Sequence, residues 1–306
     1  MKIVVYGPDK RVGALKNDFI VDLAPVAADL KSFIEGGDAA LTKAAGLVAA
    51  ASSGVPAAGT VLHPPQVPGA RIACAGGNFA DHTAAMAART GNAAFAGADI
   101  KTITERLRER GIWGFWKVGR DAAPLGGDII YPARTHRLDY EGELAIVLGK
   151  TVKDFKGDIK PYVWGVTLFG DWSIRDQNEG NAHFKYAMAK NFDGSYSVGP
   201  CIVAGENIDP SNVDVETFVN GDRRQAYNTR DMIMSFADYL EYLSADLTFY
   251  PGDMISGGTA AGTAADSSPR SPEGVAAPER FLKPGDHVEH RSPQIGTLAA
   301  NIVAKR

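Results

Sequence analysis

The run THRLDYEGELAIVLGK, residues 135–150, sets Asp139, Glu141 and Glu143 at alternate positions ahead of an apolar stretch. Read as one strand, it sends three carboxylates to one face, because side chains alternate with period two. Like charges this close raise each other's pKa and are costly to remove from water unless a cation or donors compensate. A bound divalent ion is the simplest compensation. All-oxygen ligands with no nearby His or Cys pair suit a hard ion, Mg²⁺ or Mn²⁺ with Ca²⁺ also compatible, and argue against zinc. An isolated Glu-x-Glu is more often the solvated face of an edge strand. Here Ala145 and Val147 share the glutamates' parity, so the acids mark the mouth of a face that turns apolar.

A second acidic cluster follows in VWGVTLFGDWSIRDQNE. Asp171 falls directly after an apolar strand, where a rigid scaffold commonly presents functional groups, and it completes a set of three metal ligands with Glu141 and Glu143. Arg175 is a candidate substrate-binding cation, with a turn ion pair to Asp176 as its plainer reading. Lys190, in AKNFDGSYSVGP, precedes a Gly/Ser/Pro turn region, a setting where a surface lysine is the ordinary expectation.

The elements that position these groups are mostly strands. IIYP, LAIVLG, YVWGVTLFG, GPCIVAG and VDVETFVNG read as strands separated by turns, and Ile103 to Arg110 as a charged helix. The first sixty-odd residues read as a separate small unit, with strands at Ile3 to Tyr6 and Asp18 to Asp22. An Ala-rich helical stretch from Val26 to Ala51 follows, broken at Gly36-Gly37. A Gly/Pro connector from Ser52 precedes a new strand, RIACAGG, giving expected domains of 1–65 and 66–306. The Ser/Pro/Gly/Ala-rich stretch Gly262 to Ala277 reads as a long surface loop.

The 306 residues, 45% hydrophobic, are enough to bury a sizeable core. A net charge of −4 with interspersed signs offers no basic field for phosphates, so nucleic acid is not an expected partner. Cys74 and Cys201 stand far apart in apolar settings and suit buried thiols in a reducing compartment. The opening MKIVVYGPDKR has too brief an apolar run for a signal peptide or membrane span. A cytoplasmic protein without membrane attachment is the expectation.

Taken together, the motifs resemble the fumarylacetoacetate hydrolase family. The run FWKVGRDAAPLGGDIIYPARTHRLDYEGELAIVLGK is similar to its core signature, in which the two glutamates of DYEGEL are metal ligands. CAGGNFADHTAAM resembles the family's Gly-Asn-Tyr-x-x-His segment, with Phe79 in place of Tyr. GDWSIRDQ resembles the segment whose first acid is the third ligand, and AKNFDGSYSVGPCIV the lysine-containing segment. PGDMISGGTAAG, FLKPGDHVEH and IGTLAANIV fit the C-terminal pattern, so the resemblance covers about Arg71 to Val303.

The resemblance implies an α+β, mainly β fold, with rolled or barrel-like mixed sheets enclosing the metal and a small N-terminal domain. It implies Mg²⁺ or Mn²⁺, a homodimer, and a small 2-oxo or β-diketo acid substrate. The expected reaction is hydrolysis of a C–C bond in a β-diketo acid or acylpyruvate. A lyase or isomerase of the same fold, such as a 2-oxo acid decarboxylase, a 2-oxo-3-deoxy sugar acid dehydratase or a hydroxymuconate-type isomerase, is the alternative. In this scheme Lys190 stabilises charge developing on the substrate. His82 is the general base. Thr259 in the GGTAAG loop binds a remote substrate carboxylate.

The sequence departs from that pattern in three places. The glutamate that lies three residues after the motif histidine in many hydrolytic relatives is Ala85 here. The stretch before FWK is long and ends in ITERLRERGIW, where Glu105 and Glu109 share one helix face. Either would restore the missing carboxylate if that helix closed over the site, while a solvated helix with neighbouring arginines is the plainer expectation. In the Gly-Thr loop, Gly257 and Ala260 replace the usual Thr and Pro.

Overall fold

The computed structural model describes residues 1–90, 92, 94–176, 182–205, 208–268 and 280–305. An 11-stranded sheet forms its backbone. Lys2–Tyr6, Arg11–Lys16 and Phe19–Asp22 make an antiparallel meander, and Lys2–Tyr6 also pairs with Tyr196–Ala204. The ladder continues through Val163–Asp171 and Gly142–Leu148 to Met254–Ser256. It then runs parallel to Ile72–Ala75 and ends on Gly114–Lys117. A five-stranded sheet of Asp222–Asn228, Asp214–Val219, His287–Ser292, Gly296–Val303 and Asp128–Ile130 packs beside it. Strand makes up about one third of the chain against 23% helix, so the mainly β expectation holds, with open sheets rather than closed barrels.

The central strands are apolar along their length because both faces are covered. Ala145, Val147 and Phe169 pack with Leu23, Phe33 and Ile34 of the N-terminal segment. Leu144, Ile146 and Leu168 pack the other way, with Val213, Val215, Phe236 and Leu240. The N-terminal segment is thus hydrogen-bonded into the main sheet and shares its core.

Most expected elements appear. The Ala-rich stretch forms helices Leu30–Glu35 and Gly37–Ala50, broken at Gly36-Gly37 as read. The strand Arg11–Lys16 escapes sequence reading because charged ends and Gly13 mask it; a Cβ at Gly13 would lie 2.3 Å from Ile20 Cγ2. The helix Ala264–Ser267 falls within the stretch read as a loop, of which residues 269–277 lie outside those described. Among the described residues, no helix is long and apolar enough to cross a membrane.

Candidate metal centre and its surroundings

Glu141, Glu143 and Asp171 converge at one end of the central strand pair. Glu143 is near the start of Gly142–Leu148 and Asp171 ends Val163–Asp171, so antiparallel pairing brings both to the same edge. Asp171 is therefore the last residue of its strand rather than the first of a loop. The Asp171 N–H donates to Glu141 O at 2.9 Å, which fixes Glu141 just ahead of its strand. One carboxylate oxygen from each residue lies within 4.8 Å of the others, and all three residues are at most 3% exposed.

Asp139 does not join them, although its parity matches. The run is two strands, Leu138–Asp139 and Gly142–Leu148, with a break at Tyr140 and Glu141. Asp139 turns instead to the helix Ala264–Ser267, accepting from Ala264 N at 2.6 Å and Ala265 N at 3.0 Å.

Three cations meet these acids, Lys190 and Lys117 buried and Arg175 partly buried. Lys190 follows the helix Ala182–Ala189, and its Nζ donates to Asp171 Oδ2 at 2.6 Å, to Ser173 Oγ at 2.7 Å and to Glu141 Oε2. Lys117, at the end of Gly114–Lys117, pairs with Asp171 Oδ1 and donates to the carbonyls of Lys190 and Ser195 at 2.6 and 2.9 Å. Arg175 donates through Nε to Asp139 Oδ2 at 2.9 Å and through its terminal nitrogen to Glu141 Oε1. It makes no pair with Asp176, which holds Thr135 Oγ1 at 2.6 Å and His136 N at 2.8 Å. With all groups ionised, four carboxylates face three cations, leaving one negative charge.

Glu143 is the acid left without a counter-charge. Burial pulls the Glu141 carboxyl upward, but Arg175 and then Lys190 overcome it and hold the group well below the usual carboxylate range. Burial, then Asp171 and Glu141, push Glu143 well above that range. Among the described residues Glu143 forms no ion pair and receives one hydroxyl, from Ser256. Burial would strip Lys190 of its proton, but Asp171 and Glu141 outweigh it and keep the ammonium charged. A compact set of buried hard oxygens with one uncompensated acid fits a divalent metal ion.

His82 lies in the first turn of the helix Ala80–Thr90, 9% exposed, close enough to Glu141 to affect its ionisation. Its Nδ1 is 2.6 Å from Asp266 Oδ2. Glu105 and Glu109 are exposed on the helix Ile100–Arg110, whose buried Ile103 and Leu107 face Ala80 and Ile233. Their exposure agrees with the plainer reading, although neither pairs with an arginine among the described residues, and the carboxylate beside His82 comes from elsewhere. Thr259 is buried, with its hydroxyl donating to Gly142 O at 3.0 Å and accepting from Gln225 Nε2 at 2.7 Å. Its proton is therefore committed to the protein.

Sequence reasoning misses Lys117 and Asp266. Lys117 stands inside the FWK segment, where a lysine closing an aromatic strand is a usable signal, whereas nothing local marks Asp266.

A fumarylacetoacetate (FAA) hydrolase C-terminal family model matches residues 71–303. The chain belongs to the fumarylacetoacetate hydrolase family. The proteins it resembles include tautomerases, a hydrolase and an isomerase. An oxaloacetate tautomerase of Bacillus subtilis is 35% identical over 180 residues, 58% of this chain and 56% of that protein. The mitochondrial oxaloacetate tautomerase of Rattus norvegicus is 29% identical over 276 residues, 89% of this chain and 78% of that one. Maleylpyruvate hydrolase of Sphingobium sp. SYK-6, solved with manganese(II) and pyruvate, aligns over 100% of both chains. Its TM-score is 0.72 at 22% identity, a likeness of fold alone. The chain spans 53% to 64% of the length of the first curated relatives it matches.

Proposed function

We propose that this enzyme is a divalent-metal-dependent hydrolase cleaving a C–C bond in a small β-diketo acid or acylpyruvate-type 2-oxo acid. The observation that carries this reading is a buried His82, backed by a carboxylate, beside a three-carboxylate cluster that also holds an ammonium. Mg²⁺ or Mn²⁺ held by Glu141, Glu143 and Asp171 would supply Lewis acidity toward the carboxylate and keto oxygens of the substrate. His82 takes a proton from water as the oxygen attacks the distal carbonyl carbon. The bond between that carbon and its neighbour then breaks, and Lys190 stabilises the charge that develops on the departing enolate oxygen. A proton returned to carbon completes the second product.

Arg175 spans Asp139 and Glu141, so we assign it to orienting a ligand carboxylate rather than to binding substrate. With the Thr259 hydroxyl committed to Gly142, a remote substrate carboxylate would be met by backbone N–H groups of its loop. We take the working form to be a cytoplasmic homodimer, as is common in the family.

A second reading, a tautomerase moving a proton between carbon and oxygen through His82, draws on the two oxaloacetate tautomerase relatives. Incubating the protein with acylpyruvates and with oxaloacetate, each with Mg²⁺ or Mn²⁺, separates the two. Hydrolysis of an acylpyruvate is expected, together with calorimetric metal binding that is lost in Glu143→Ala. Lys190→Met should lower kcat about a hundredfold or more while metal binding persists. Enol-to-keto conversion of oxaloacetate with no acylpyruvate cleavage moves the assignment to the second reading, and metal binding unchanged in Glu143→Ala removes the proposed site.

A further inference from the structure

A histidine serving as a base needs one ring nitrogen held so that the other faces the reacting group in a fixed tautomer. The helix that bears His82 supplies no such partner, because the residue one turn on is Ala85. The partner comes from more than 180 residues away: Asp266 Oδ2 sits 2.6 Å from His82 Nδ1, at a sequence separation of 184.

Asp266 is itself held from several sides. Its two oxygens accept the Gly262 N–H at 3.0 and 3.2 Å, its own N–H donates to Thr263 Oγ1 at 3.3 Å, and it is 2% exposed. The short helix that carries it is pinned to the metal-ligand run by Asp139, which accepts from Ala264 and Ala265. Arg175 ties Asp139 back to Glu141. A continuous set of contacts therefore links the ligand Glu141, through Arg175, Asp139 and the helix Ala264–Ser267, to the imidazole of His82. This gives Asp139 a place that metal ligation does not.

We propose that Asp266 is the positioning residue of His82, fixing Nδ1 as the donor so that Nε2 serves the substrate, with Asp139 anchoring the segment that carries it. The inference rests on the reading of His82 as the proton-transferring group, and it holds for hydrolysis and tautomerisation alike. A purely structural role, in which Asp266 only staples the Gly-Thr loop to the helix Ala80–Thr90, would leave the ring tautomer without a preference.

Long-range ¹H–¹⁵N correlation spectra of the metal-free, uniformly ¹⁵N-labelled protein, recorded at alkaline pH, test this without any substrate. The His82 signals are identified by their loss in His82→Gln. The wild-type ring should be protonated at Nδ1, and Asp266→Asn should abolish that preference. Asp266→Asn should also lower kcat about a hundredfold, with KM and calorimetric metal affinity unchanged. A wild-type ring protonated at Nε2, or a tautomer unaltered by Asp266→Asn, overturns the proposal, and the wild-type spectrum decides even if the variant does not fold. A fixed Nδ1–H tautomer in a protein inactive on every acid of the panel would count against the proposed reaction and support the positioning role.

Discussion

The strand pair Gly142–Leu148 and Val163–Asp171 carries a polar site on each face, and the two are built on opposite principles. On one face Asp171 and Glu141 are buried as charges among Lys117, Lys190 and Arg175, with Glu143 beside them and without a counter-charge. On the other face, where Gly142 and Gly170 pair in register, the missing side chains make room for the imidazole of His290. That ring is 1% exposed, touches Thr217 Oγ1 through Nδ1 at 3.0 Å, and has no partner at Nε2 among the described residues. Burial alone pushes its pKa down to about 3. Charges survive burial where each finds a counter-charge and donors, whereas a lone titratable group survives by staying neutral. The first arrangement leaves a deficit that a metal ion can fill; the second leaves none.

The largest effect expected is from Asp171→Ala, which removes the carboxylate shared by Lys117 and Lys190. Breaking a buried pair by deleting one partner costs about 3–5 kcal/mol, to be read by urea unfolding of the metal-free protein. A loss under about 1 kcal/mol would mean that pairing does not hold the charged face together.

Next in size is a dependence on acid. The unfolded chain protonates His290 near 6.5 and the folded protein only near 3. Between those values the unfolded state binds more protons, so stability falls as pH falls. One proton contributes a slope of up to about 1.4 kcal/mol per pH unit. The difference in slope between wild type and His290→Gln through this window isolates the residue, and identical slopes would place a charged imidazole in the fold.

Gly142→Ala probes both faces at once. Its new Cβ would sit 2.2 Å from Thr217 Oγ1 and 2.6 Å from His290 Nδ1. Overpacking should cost about 1–3 kcal/mol, with weaker Mn²⁺ binding as Glu141 and Glu143 shift. A stable variant that binds Mn²⁺ as the parent does would show the two faces to be independent. The smallest effect belongs to the double substitution Glu105→Gln, Glu109→Gln, expected within about 0.5 kcal/mol in stability and without effect on turnover. Loss of hydrolysis there would return the lid helix to the site.

Much of the candidate site is legible because it is local. Glu141 and Glu143 are two residues apart, so strand periodicity marks them, and Asp171 stands out at the end of an apolar run, whereas Lys190 reads locally as a surface lysine and is singled out only by the family resemblance. The same periodicity misplaces Asp139, since a break at Tyr140 and Glu141 is invisible to an alternation rule. Arg175 illustrates a different limit, because a neighbour in sequence, Asp176, looks like its partner until Asp139 and Glu141 arrive from another strand. Strands at Lys2–Tyr6 and Phe19–Asp22 are readable, but that they extend the central sheet through Tyr196–Ala204 is not.

By itself the sequence determines the candidate ligand types, the mainly β character and the family, because these depend on residue identity and short-range order. Only the tertiary structure decides which charges offset which: that Lys117 shares Asp171 with Lys190, that Glu143 is left uncompensated, and that Asp266 faces His82. Those outcomes depend on distances of a few ångströms between groups up to 184 residues apart. Coulomb and hydrogen-bond energies change steeply over such distances while the chain connecting the groups imposes almost no constraint on them.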